Sequence, residues 1–384
     1  MGFILRTCKQ CGKKRFALFF DDGICSACQD DNFRAEEERK KKEAEARLKE
    51  IEEQKVAAAQ MYQKLVDCYE TMSNAKPLHL DAFRQHEAIC KMFIQDFQTA
   101  LEMPFFADVL KKHMHDFYLK DYVEMDGFGI IKYTRIDSGN IKIDFNHLLM
   151  GAELSINRCQ RVYRNSEEFS RTLKAMKKVP VNVDGNAPSK EKSPCGLLKT
   201  SNVTAKTPTA SISNFIAVDV ETTGLSPSSD DIVEIAAVRF VASQPTEYFH
   251  SYIKPHDGLK ERAQKINGIT EEKVKDAPYF EQIDAAFCDF IGEKTTIVGH
   301  KLSFDYGFIT ALGGKTLVTG KRKFYDTLDL ARRVFDFPSN KLDDLCASVL
   351  DIARDDSHSA LSDALATGLL FNEICNRRIE NIAL

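Results

Sequence analysis

Phe215-Ile-Ala-Val-Asp219-Val-Glu221-Thr222-Thr223-Gly224-Leu225 is the stretch on which the fold of this chain turns. Phe215 to Val220 is a short, mostly apolar run that predicts a strand, and Thr223-Gly224 ends it. Asp219 and Glu221 stand two residues apart, so in a strand both side chains point to the same face. Two carboxylates at the end of an otherwise apolar strand are costly to bury unless a cation neutralises them, and the pattern predicts Mg²⁺ or Mn²⁺ beside them.

Moving outward, apolar runs at Ile232 to Val241, Tyr248 to Ile253 and Thr296 to Gly299 predict further strands. Helix-period stretches fall near 279–292, 302–312, 326–335, 341–350 and 359–376. Three strands followed by alternating helices and strands indicate an α/β sheet with an antiparallel start. Two more acids join the first pair. Ile297-Val-Gly299-His300-Lys301-Leu-Ser-Phe304-Asp305 runs a strand into a helix carrying Asp305, and Asp355-Asp-Ser-His358-Ser-Ala-Leu-Ser-Asp363 sets His358 five residues before Asp363 at the start of the last long helix. That is a little over one helical turn, so both can face one pocket.

Asp219, Glu221, Asp305, His358 and Asp363, in this order, resemble the DEDDh family of 3′-to-5′ exonucleases, which includes the proofreading subunit of bacterial replicative DNA polymerase. The resemblance spans about 214–376 and extends to Ile232-Val-Glu234-Ile-Ala-Ala-Val, Ile266-Asn-Gly268-Ile-Thr270 and Tyr325-Asp326-Thr-Leu-Asp-Leu-Ala-Arg332. It implies a ribonuclease H-like mixed sheet flanked by helices and a hydrolase that binds two Mg²⁺ or Mn²⁺ ions. Two metals about 3.5–4 Å apart suit phosphodiester hydrolysis because they bind attacking and leaving oxygens together. On this reading Asp219, Glu221 and Asp363 hold the metal that carries the nucleophilic water, with Asp219 bridging. Asp305 supports the second site, and His358 takes the proton. The product is a nucleoside 5′-monophosphate. The resemblance also places Thr222, Thr223 and Leu225 at the terminal 3′ hydroxyl and last base, with His300 and Phe304 lining the pocket. Lys301 departs from the family, which usually has a small amide-bearing residue there.

The other end carries a second chemistry. Cys8-Lys-Gln-Cys11 and Cys25-Ser-Ala-Cys28 are two C-x2-C pairs separated by 13 residues, the spacing of a tetrahedral four-thiolate zinc site. One structural Zn²⁺ is expected, in an arrangement resembling a treble-clef or zinc-ribbon finger. Eleven cysteines in all, most of them isolated, suit a reducing compartment better than a disulfide framework.

These readings divide the 384 residues into a zinc finger (1–32), a long charged helix (33–75), a mostly helical module with a hairpin (76–178), a flexible linker (179–213) and the nuclease domain (214–384). In the long helix, Glu36, Glu37 and Glu38 precede Lys40, Lys41 and Lys42 by four residues, the favourable order for helical ion pairs. From Leu48 an apolar seam continues to Met72; it suits either a coiled-coil dimer, and hence a protein partner or self-association, or packing within the chain. Asp137-Ser-Gly-Asn140 marks a hairpin, and the helix after it carries Arg158, Arg161, Arg164, Arg171 and Lys174, either a solvated face or a phosphate-tracking one.

Hydrophobic residues make up 43% and charged residues 29%, a composition that excludes wholesale disorder. No run of about 18 uncharged apolar residues is present, so no membrane association is expected and the cytoplasm is the expected location. Residues 214–384 carry 19 Lys+Arg against 27 Asp+Glu, which argues against nucleic-acid coating by bulk charge and for a local carboxylate site. The substrate expected from the resemblance is a single-stranded nucleic-acid 3′ end, DNA before RNA. The alternatives are an exoribonuclease of the same family and a targeting protein with a vestigial nuclease. All five acid and histidine positions lie beyond the linker, so residues 210–384 are expected to act alone.

Overall fold

The computed structural model describes residues 5–16, 20–110, 112, 122–125, 131–133, 145–183, 212–292, 294–313, 322–355 and 358–382. The chain forms two compact units: the first takes in 1–71, 92–122 and 133–143, the second 72–91, 123–132 and 144–384.

The first unit opens with two small antiparallel hairpins, β1 (Leu5–Thr7) with β2 (Lys14–Phe16) and β3 (Phe20–Asp21) with β4 (Ile24–Cys25). They lead into α1 (Ser26–Asn74), 49 residues long. The helix therefore begins inside the second cysteine pair rather than after residue 32. Its first half is exposed and laced with pairs such as Lys40–Glu36 at 3.5 Å, each worth only a few tenths of a kcal/mol. The later seam is occupied within the chain: Ala58, Tyr62 and Leu65 are buried. Against this part of α1 lies the second half of α2 (Leu80–Leu101), with Tyr69 and Phe93 rings 6.3 Å apart and Lys64 Nζ donating to Asp96 Oδ1 at 2.8 Å.

In the second unit β5 (Tyr122–Met125) and β6 (Ile131–Tyr133) form a two-stranded sheet, while the turn expected at 137–140 lies outside the described residues. Helix α3 (Phe145–Ala175) follows, then β7 (Lys177–Lys178). The main sheet consists of β7, β8 (Phe215–Thr222), β9 (Ile232–Val241), β10 (Gln244–Tyr252), β11 (Ile297–Gly299) and β12 (Phe324–Asp326), in the order β12-β11-β8-β9-β10-β7. β8 is central, antiparallel to β9 and parallel to β11. This is the mixed α/β sheet expected of a ribonuclease H-like fold; β7 and β12 are too short to read from sequence pattern.

Alternation along β8 sorts the core. Phe215 and Ala217 face α10 (Ala360–Ile382), in a cluster with Phe240, Leu365 and Phe371. Ile216, Val218 and Val220 face the other side with Phe249, Phe308 and Ile309. Asp219 and Glu221 share the parity of Phe215 and so look towards α10. The elements on the second face are α4 (Glu261–Asn267), α5 (Glu271–Val274), α6 (Asp284–Ile291) and α7 (Leu302–Leu312); α8 (Thr327–Val334) and α9 (Leu342–Leu345) complete the unit, with a π turn at Cys346–Leu350.

The sequence reading separated the middle module and linker from the nuclease, and the structure joins them. Phe169 and Met176 of the α3 segment are in the same core cluster as Phe215 and Phe371. β7 pairs with Glu247 and Tyr248 of β10, and Val179 N donates to Tyr248 O at 2.9 Å. A fragment starting at 210 would bare this face; of the expected linker, residues 184–211 lie outside the described residues. Nor does the basic stripe on α3 behave as one face, because Arg158 is buried. Among the described residues no helix is long and apolar enough to cross a membrane.

At Gly368 α10 meets the sheet so closely that an added Cβ would lie 2.1 Å from Phe240 Cε2. Gly368→Ala should therefore cost about 1–3 kcal/mol by overpacking, seen as a lower midpoint in urea or thermal unfolding. An unchanged midpoint would show that this contact does not limit the approach of α10.

Candidate active site

The strand β8 supplies Asp219 and Glu221, the first turn of α7 supplies Asp305, and α10 supplies Asp363 one turn after His358. Glu221, His358 and Asp363 each bring a donor atom within 4.8 Å of the others. His358 has a left-handed backbone (φ 70°) and is exposed, so its imidazole stands at the solvent side of the acids. Asp305 is buried and accepts the Val220 backbone N–H at 3.1 Å, which ties α7 to the strand between its two acids.

Burial and mutual repulsion dominate the electrostatics. Burial pushes the Asp219 carboxyl well above the usual range, and Asp363, Asp305 and Glu221 push it further. Glu221 is pushed up to about 9, first by burial and then by Asp363 and Glu234. Asp305 is raised by burial against the opposing Val220 N–H, and Asp363 by burial against the opposing Arg354 guanidinium. At about 9, Glu221 keeps its proton at neutral pH unless positive charge arrives. The donor set, carboxylate oxygens with one imidazole, is that of a hard divalent cation, so these residues fit Mg²⁺ or Mn²⁺.

Around this cluster lie residues to which the sequence reading gave no role in the site, although Glu234 and Asn267 fall in the flanking motifs quoted above. Glu234, nearly fully buried opposite Glu221 on β9, is paired with His250 Nε2 at 2.7 Å; an acid inside the apolar run Ile232 to Val238 was the available signal. Asn267 donates to Thr222 O at 3.4 Å and also hydrogen-bonds Glu221. It sits there because Gly268 takes the left-handed conformation (φ 62°) that closes α4. Arg354, with a side chain only 1% exposed, bonds both Asp363 and Asp343. Nothing local in the sequence distinguishes it from a surface arginine.

The expected substrate residues separate into two places. Thr222, Thr223, Leu225 and Phe304 line a cleft of about 490 Å³ together with Glu221 and Asn267. Leu225 is 79% exposed at its edge, and Ile266 of α4 faces the same cleft. Its loop is fixed by Thr223, which exchanges backbone and hydroxyl bonds with Asp231, and by Asp230, which binds the Ser226 N–H and Lys260. His300 is elsewhere: Nε2 lies 3.1 Å from Asn340 O and Nδ1 2.9 Å from Thr327 Oγ1, and burial pushes its pKa down to about 4. A neutral ring that donates from Nε2 and accepts at Nδ1 satisfies both contacts. Lys301 is exposed, with its ammonium 5.7 Å from the centre of the Phe304 ring.

In the first unit the sulfurs of Cys8, Cys11, Cys25 and Cys28 all lie within 4.8 Å of one another. A tetrahedral zinc thiolate site needs sulfurs ~3.8 Å apart, so the group is a fitting cage. Backbone N–H groups of Cys11 and Cys25 lower the Cys8 thiol to about 6, while Cys28, crowded by Cys11, is pushed up to about 12. One thiolate and one stubborn thiol in a single cluster is the arrangement that a divalent cation resolves. Purified protein should carry about one equivalent of zinc, lost in the double variant Cys8→Ser, Cys25→Ser. Under half an equivalent in the parent would overturn the site.

The raised acids also set a pH dependence. Between the ordinary glutamate value of about 4.3 and its folded value of about 9, Glu221 holds a proton that the unfolded chain has released. Metal-free protein should thus lose stability as pH rises through that window. Glu221→Gln should be more stable than the parent near pH 8 without metal, with the difference vanishing towards pH 4. Urea unfolding in EDTA at both pH values measures it.

Residues 216–371 match the family model described as Exonuclease. The PolC-type DNA polymerase III of Bacillus subtilis is 35% identical over 159 residues, 41% of this chain and 11% of that protein. The epsilon subunit of DNA polymerase III of Buchnera aphidicola is 35% identical over 161 residues, 39% of this chain and 65% of that one. The match thus spans about a tenth of the PolC-type relatives and just under two thirds of the epsilon subunit. Among solved structures, exonuclease X in complex with 5′ overhanging duplex DNA aligns at 25% identity with a TM-score of 0.35, over 42% of this chain and 91% of that one. Exonuclease I of E. coli in complex with a dT13 oligonucleotide aligns at 22% identity and a TM-score of 0.38, over 45% of this chain and 43% of that one. With the acids of β8, α7 and α10 gathered at one point of a mixed sheet, the stretch 216–371 carries an Exonuclease domain.

Proposed function

We propose that this protein is a metal-dependent 3′-to-5′ exonuclease that removes nucleotides one at a time from single-stranded DNA 3′ ends, releasing nucleoside 5′-monophosphates. The observation that carries the reading is the meeting of Glu221, His358 and Asp363 beside a cleft of nucleotide size. DNA is favoured because the relatives of about 35% identity are DNA polymerase III proteins. The four-cysteine unit at 1–32 serves as a structural zinc finger, and the cytoplasm is the proposed location.

Asp219, Glu221, Asp305 and Asp363 hold two Mg²⁺ or Mn²⁺ ions, which when bound supply Lewis acidity and charge neutralisation at the scissile phosphate. The protein's own groups do the rest. Thr222 and Thr223, on the fixed loop beside Glu221, receive the terminal sugar, and Leu225 and Phe304 offer apolar faces to the last base. His358, exposed at the mouth, accepts the proton of the attacking water and returns it to solvent. Its exposure suits this task, because a base that must reset each cycle needs an exit for its proton.

Whole chain incubated with matched DNA and RNA oligonucleotides, single-stranded and duplex, with Mg²⁺, Mn²⁺ or EDTA, tests the reading. Mononucleotide release from DNA 3′ ends in the metal lanes is expected; exclusive RNA cleavage would replace the substrate, and no cleavage would refute the activity. Asp219→Ala should lose both Mn²⁺ binding and turnover. His358→Ala should keep Mn²⁺ and slow single turnover by about 10²–10⁴. A His358→Ala protein that no longer binds Mn²⁺ would make the histidine a ligand instead.

A further inference from the structure

Helix α3 precedes the residues that match the exonuclease family, yet its polar groups converge on one short segment of that domain. The segment is 347–354, from within the π turn to Arg354. Arg158, whose side chain is 4% exposed, donates from Nε to Asp351 Oδ1 at 2.9 Å and from Nη2 to Ala347 O at 2.7 Å. Arg161 Nε takes the other oxygen, Asp351 Oδ2, at 3.1 Å. Asn165 Nδ2 donates to Leu350 O at 3.0 Å, and Ser166 Oγ accepts the Ala353 N–H at 2.9 Å. Val162 and Cys159 pack with Phe83 against Ala347 and Ala353.

This is more fastening than a helix needs merely to cover a surface. Asp351 closes the π turn in the left-handed region (φ 51°), which turns its carboxylate back towards α3. Here the two arginines hold it. From that turn the chain reaches Arg354 three residues later, and the buried guanidinium ends between Asp343 and Asp363. A buried arginine cannot follow its partner by swinging through solvent, so the backbone that carries it fixes where Asp363 is gripped.

We propose that α3 is a working part of the nuclease: Arg158 is a positioning residue that, through the Asp351 turn and Arg354, holds Asp363 in place to bind the catalytic metal. This rests on the reading of Asp363 as a metal ligand. Groups that orient metal ligands typically change metal affinity or activity by 10–100-fold when removed. Arg158 acts at one remove from Arg354, so the lower end of that range is expected.

The test uses the full-length, zinc-loaded chain. Mn²⁺ binding is read by calorimetry and, separately, kcat and KM on a single-stranded oligonucleotide, at a temperature where circular dichroism shows each variant folded. Arg158→Gln and Asp351→Asn should each weaken Mn²⁺ binding about tenfold and lower kcat with little change in KM. The double variant should do no worse than either single, because both break one linkage. Tyr163→Phe, which removes the hydrogen bond to Glu87 from the same helix, should leave Mn²⁺ affinity unchanged. If Arg158→Gln does not fold, Asp351→Asn carries the test alone. Folded variants that bind Mn²⁺ like the parent, or an equal loss in Tyr163→Phe, would overturn the positioning role. Asp363→Asn separates the two readings: its losing Mn²⁺ while Arg158→Gln stays normal refutes the positioning role alone. Normal Mn²⁺ binding in Asp363→Asn refutes the site assignment and the proposal with it.

Discussion

Mutual repulsion among buried carboxylates is the constraint around which the second unit is organised. Asp219, Glu221, Asp305 and Asp363 are brought together and each is raised by burial; neighbouring acids of the cluster raise Asp219, Glu221 and Asp305 further, while Arg354 opposes the rise at Asp363. Left alone, such a cluster would open the structure or keep its protons. The fold counters with fixed partners: Arg354 for Asp363, the Val220 N–H for Asp305, Asn267 for Glu221 and His250 for Glu234. Each partner is on a different element. The cluster therefore stitches β8, β10, α4, α7 and the 347–354 segment together, and its remaining carboxylates form a donor set that fits a divalent cation.

The strand β8 makes this arrangement feasible. It is paired with β11 at Ile216 and Ala217 and with β9 along its whole length, so its two acids stand on the β9 ladder, with the Val220 N–H between them taken by Asp305. Side-chain alternation aims both at α10, and the register shift opposite Glu221 and Thr222 falls where the ladder ends and the cleft begins. The acids and the cleft thus come from one strand end, with apolar core clusters on either side of it.

Most of this was legible from residue order because it is local. An acid pair in an apolar run, two C-x2-C pairs and a histidine one turn before an aspartate are patterns of period and spacing that survive any tertiary context. What could not be read depends on partners far away in sequence. Arg158 lies in a row of basic residues with the look of a solvated face, and only the arrival of Asp351, 193 residues later, buries it. Likewise β7 and β12 are two and three residues long and become strands because β10 and β11 offer edges to pair with. The boundary drawn at 179 failed for the same reason. Composition changes there, but Val179 and Val181 still pack beneath the sheet.

The pairing of β7 with β10 also bears on colloidal behaviour. β10 runs nine residues, and beyond β9 its outer edge would be a row of open backbone donors and acceptors, the template on which sheets join edge to edge. Lys177 and Lys178 occupy part of that edge, and they bring charge that a second sheet could not accept without stranding it. The segment thus doubles as a guard against self-association. A protein trimmed to the family-matched residues would be left with a longer sticky margin, whatever became of its chemistry.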